Sequence, residues 1–111
     1  MLPVTALRTW LAAREPAAPD ALRARIARLV DEHPEWEALL LPEALLAAGE
    51  VLLGHVLAAP ARNRTTAVDL LAADACVTYA FEAAADEPDR LVALAEGAID
   101  RIGVLAGQVR N

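Results

Sequence analysis

Residues 42–59 read PEALLAAGEVLLGHVLAA, and residues 64–85 read RTTAVDLLAADACVTYAFEAAA. Neither segment alternates apolar and polar residues as a half-buried strand does. In the first, Leu45, Leu46, Leu52, Leu53, Val56 and Leu57 cover a wide arc of a helical wheel, with Glu43, Glu50 and Gly54 in a narrow strip beside it. In the second, Leu70, Val77 and Phe81 point one way, Val68 and Tyr79 the other, and Leu71 lies between. A helix apolar nearly all round is buried or sandwiched between partners, so both segments predict core helices of an all-α protein.

The flanking sequence punctuates into further helices. A first helix is expected over about Pro3–Arg14, with Val4, Leu7, Trp10 and Leu11 as its apolar stripe. Pro19 suits a first helical position and opens a second helix to Glu32, whose inward residues are Leu22, Ile26, Leu29 and Val30. His33-Pro34 stops it, because the residue before proline avoids helical geometry. Glu35–Leu41 predicts a short helix carrying Trp36, Leu39 and Leu40, Pro42 opens the third long helix, and Pro60 closes it. Thr66, with Asp69 three residues on, reads as a capping box for the fourth. Pro88 starts the fifth, to about Gln108, with Leu91, Leu94, Ala95, Ala98, Ile99, Ile102 and Leu105 as its core face. The expected architecture is a single domain over residues 1–111: an up-and-down four-helix bundle with an additional N-terminal helix, about five helices in all.

Composition narrows the function. Ala (27) and Leu (18) supply a large share of the 111 residues, and Lys and Ser are absent. A serine nucleophile, a lysine Schiff base and a P-loop lysine are therefore excluded. One cysteine, Cys76, rules out a disulfide within the chain and a cysteine-based zinc site. The net charge of −6 argues against nucleic acid as a partner. No charged, then apolar, leader opens the chain, so a cytoplasmic location is expected. The exclusive use of Arg among the ten basic residues suggests GC-rich coding and a bacterial source. The apolar run from Ala38 to Ala61 carries Glu43, Glu50, His55 and the breaker Pro42, which favours a buried core helix over a membrane span.

Four polar residues are candidates for burial or ligand contact. Asp74, Thr78 and Glu82 recur every fourth residue among Leu70, Leu71, Val77 and Phe81. Acids in such a setting need partners, and an Arg reaching Asp74 from another helix or a second subunit is expected. His55 lies at the edge of the apolar arc, too far round the helix from Glu50 for a metal pair. No Glu-x-x-His occurs, so the di-iron bundle pattern is absent, and no cofactor is expected. Gly103 and Gly107 share an outer face of the fifth helix, where their cost of about 1 kcal/mol each suggests close approach of another helix.

The run Leu71-Ala72-Ala73-Asp74-Ala75, continuing through Tyr79-Ala80-Phe81-Glu82, resembles a core helix of the isoprenyl diphosphate synthases. That family binds diphosphate through magnesium on aspartate-rich motifs. This chain has no two adjacent Asp, so the resemblance implies a shared way of packing an Ala-rich helix and no shared chemistry.

The sequence thus reads as a non-enzymatic interaction module, a homodimer whose interface includes Leu70, Val77, Phe81, Gly103 and Gly107. The alternatives are a metal-binding or small enzymatic bundle using Asp74, Glu82 and His55, and a bundle that binds a small apolar ligand.

Overall fold

The computed structural model describes residues 4–14 and 18–110. They form a helical bundle: α1 (Val4–Ala12), α2 (Asp20–Glu32), a 3-10 turn (Pro34–Ala38), α3 (Leu41–Ala58), α4 (Arg64–Ala84) and α5 (Pro88–Arg110). No strand occurs among the described residues. Pro3 and the 15–17 connection, where the first helix was expected to start and the chain to turn, lie outside them.

Local chemistry sets the boundaries. At His33-Pro34 the chain leaves α2 and tightens into the 3-10 turn, where Trp36 is buried and the His33 ring stacks on it at 4.2 Å. The expected short helix thus begins one residue earlier and ends sooner. Pro42 sits in the first turn of α3, where its missing N–H costs nothing. Helix α4 is capped by Asn63, whose Oδ1 accepts the Thr66 amide at 3.1 Å. Thr66 is therefore already inside the helix, and its hydroxyl turns back to the Ala61 carbonyl. Asp69, expected to complete a capping box, points instead into the protein, nine-tenths buried.

The closest pair is α3 against α4. Ala44, Ala48 and Gly49 of α3 meet Ala72, Ala73, Cys76, Ala80 and Ala84 of α4, all buried. Side chains this small let the two backbones approach. The bulk comes from α3 itself and from α1 and α2, through Leu45, Leu46, Leu52, Leu7, Leu11, Ile26 and Leu29. α3 is the one described helix long and apolar enough to cross a membrane, with mean hydropathy 1.4, and Leu45, Leu46 and Leu52 are fully covered by the bundle.

Ion pairs tie the remaining helices on. Glu43 and Glu50, the narrow strip of α3, face α5 and bind Arg90 (3.0 Å) and Arg101 (2.5 Å). Just beyond the end of α1, Arg14 pairs with Glu82 of α4 and lies over the Trp10 and Tyr79 rings at 4.8 and 5.2 Å.

Two expectations about burial need correction. Helix α4 is not covered all round, since Leu70 and Leu71 are 49% and 57% exposed. On α5, Leu94 and Ala98 are buried, but Ile99, assigned to the core face, is 71% exposed. On α4 the small residues, not the large ones, turn toward the closest neighbour.

Candidate functional site

The most developed polar constellation lies where α2 crosses the start of α4. Ala21, Arg25, Arg28 and Glu32 recur at helical spacing along one stripe of α2. Arg64, Thr65, Val68 and Asp69 occupy the first turns of α4 opposite. Between them runs a solvent-open groove of about 580 Å³.

Its floor is organised by Asp69. The Arg25 Nε donates to Asp69 Oδ1 at 2.7 Å, and the two side chains are 17% and 10% exposed. Arg25 Nη2 also lies 3.3 Å from His55 Nδ1 on α3. A guanidinium carries no acceptor, so Arg25 is the donor in any hydrogen bond to this nitrogen. One arginine thus joins three helices, and its fork is fixed from two sides.

The sequence-derived candidates fall elsewhere. Asp74 and Thr78 are exposed, and neither has a hydrogen-bond or ion-pair partner among the described residues. The buried, arginine-paired acid expected at Asp74 is Asp69, more than a turn earlier. Glu82 is exposed as well, yet it does receive an arginine from another helix, Arg14. His55 is exposed and contacts Arg25 rather than an acid. Asp74, Glu82 and His55 do not converge, and no group of three His, Cys, Asp or Glu residues suited to a metal ion occurs among the described residues. The signal that marks Asp69 is the small-residue series Ala72, Cys76, Ala80 and Ala84, whose stripe extends back to it.

Of the interface candidates, Leu70 is half exposed, while Val77 and Phe81 pack partly against the core. A Cβ built on Gly103 or Gly107 meets nothing within 4 Å, so neither glycine serves a contact within the chain. A second groove, about 420 Å³ and mainly apolar, lies between α3 and α5 against Val51, Gly54, Val104 and Leu105, with the Glu50–Arg101 pair on its wall. It is the place a small apolar ligand would occupy.

Cys76 packs in the α3–α4 seam, where burial pushes its thiol up to about 12. Its thiolate is scarce at neutral pH, so a maleimide or disulfide reagent is expected to leave the folded protein untouched. Labelling should track urea unfolding, and fast labelling of the native protein would contradict the packing of this seam.

No family model, curated protein or solved structure matches the chain.

Proposed function

We propose that this chain is a non-enzymatic helical module that acts by pairing with a second copy of itself through the outer face of α5. The observation that carries the reading is the stripe Val92, Ile99 and Gly103, spaced at seven and four residues on one face. Val92 and Ile99 are 57% and 71% exposed, and Gly103 between flanking turns leaves room for a neighbouring helix.

A two-fold axis at Ile99 would set Val92 of one copy against Ala106 of the other, large residue to small, and Ala95 against Gly103, where two small residues let the helices approach. Asp100 lies at the rim of the stripe, whereas Glu96 falls within it, four residues after Val92 and three before Ile99, so pairing requires its stem to pack in the interface with the carboxylate turned to the solvated edge.

Disulfide trapping tests the face. Cys76 is buried, so an introduced surface thiol is the reactive one. Ile99→Cys should oxidise rapidly to a covalent dimer, while Thr78→Cys on α4 should not. Trapping at Leu71→Cys or Thr78→Cys in preference to Ile99→Cys, or no trapping at any of them, overturns the reading.

A further inference from the structure

We infer that the groove between α2 and α4 binds the phosphoryl group of a small molecule. The first ground is the distribution of cations. Arg14, Arg23, Arg90 and Arg101 each bind a carboxylate. Arg28 and Arg64 line the groove from opposite walls and have no carboxylate partner among the described residues. Arg62, in the turn before α4, has no carboxylate partner either, but it does not line the groove; Arg28 and Arg64 are the two such guanidiniums that share one cavity, and their joint field favours an anion there.

The second ground is how the site is held. Arg25 is locked by Asp69 and His55, so it forms a fixed edge rather than a mobile surface charge. Its charge and that of Asp69 cancel. Glu32, the other acid in the wall, is exposed at the last turn of α2 and offsets one of the two remaining positive charges.

The third ground is the donor set, which selects phosphate over carboxylate. Asn63 caps the Thr66 amide, and Ala67 makes the first helical bond of α4, to Asn63. The amides of Arg64 and Thr65 lie ahead of that bond, in the first turn, and have no acceptor within the helix. Together with the Thr65 hydroxyl and two guanidinium forks they outnumber the two oxygens of a carboxylate. A phosphoryl group offers three oxygens and nearly two charges. Ala21, Ala24 and Val68 supply an apolar floor for the organic body attached to it.

The test is an amide chemical-shift titration of the full chain at constant ionic strength. The probes are phenyl phosphate, inorganic phosphate, benzoate and hexaglutamate, with sodium chloride as the reference. Phenyl phosphate should produce saturating shifts at Arg64, Thr65 and Val68 and bind more tightly than inorganic phosphate. The double variant Arg28→Ala/Arg64→Ala removes two exposed side chains, so its thermal unfolding should match wild type while affinity falls about tenfold. Shifts that do not saturate, shifts that chloride reproduces, or a double variant that binds unchanged would overturn the assignment. Tighter binding of benzoate or hexaglutamate than of phenyl phosphate would overturn it as well, by assigning the groove to carboxylate partners.

Discussion

Gly49→Leu is expected to cost about 3 kcal/mol of folding stability, at the upper end of what overpacking a core does. A Cβ at Gly49 would already lie 2.9 Å from Val77 Cγ2, 3.3 Å from Cys76 Cβ and 3.3 Å from the Ala73 carbonyl oxygen. Val77 can turn aside, but the carbonyl belongs to the α4 backbone and moves only with the helix. A leucine there must push α4 away from α3 and open the seam lined by Ala72, Ala73, Cys76 and Ala80. Gly49→Ala sets two effects against each other. Alanine gains about 1 kcal/mol in helix propensity and loses about 1–3 kcal/mol to crowding, so a net loss of about 1 kcal/mol is expected. Urea unfolding of both variants checks the order. A Gly49→Leu protein as stable as wild type would mean that the two helices are further apart than described.

The second large effect belongs to Asp69. Asp69→Ala leaves the Arg25 guanidinium mostly buried with no carboxylate and the His55 ring as its remaining neighbour, at a cost of about 3 kcal/mol. The double variant Arg25→Met/Asp69→Leu replaces the pair with apolar side chains and should recover most of that loss, since a buried pair is worth little over a well-packed isostere. A double variant whose loss equals the sum of the single losses would show that Arg25 and Asp69 act independently, contrary to their 2.7 Å contact.

The helices themselves were legible in the sequence, because proline punctuates this chain at nearly every boundary. Pro34, Pro42, Pro60 and Pro88 stand at or beside the ends of described elements. On α5 the periodicity gives the inward arc, with Leu94 and Ala98 buried and Leu91 and Ile102 packed against the core, although Ile99 falls outside it; what the pattern did not reveal is which arc of α4 faces inward. On α4 burial was assigned to the large residues Leu70 and Leu71, whereas close helix packing selects the small ones, Ala72, Ala73 and Cys76. In an Ala-rich helix both arcs look apolar, so periodicity gives an axis without a direction. The same ambiguity placed the buried acid at Asp74 instead of Asp69. The partners Arg25, Asp69 and His55 are far apart in sequence, and no spacing rule reaches across three helices. The i, i+7 strip of Glu43 and Glu50 was visible, but its counter-ions Arg90 and Arg101 were not, for the same reason.

Pairing of two copies through α5 is the central claim, and sedimentation equilibrium at micromolar concentration measures it most directly. The wild-type protein is expected at twice its chain mass of 11.8 kDa. Ile99→Glu, which places a charge on the proposed two-fold axis, is expected at the mass of a single chain with its helical content intact. A wild-type protein that sediments as a single chain, or an Ile99→Glu variant that remains dimeric, would contradict the account.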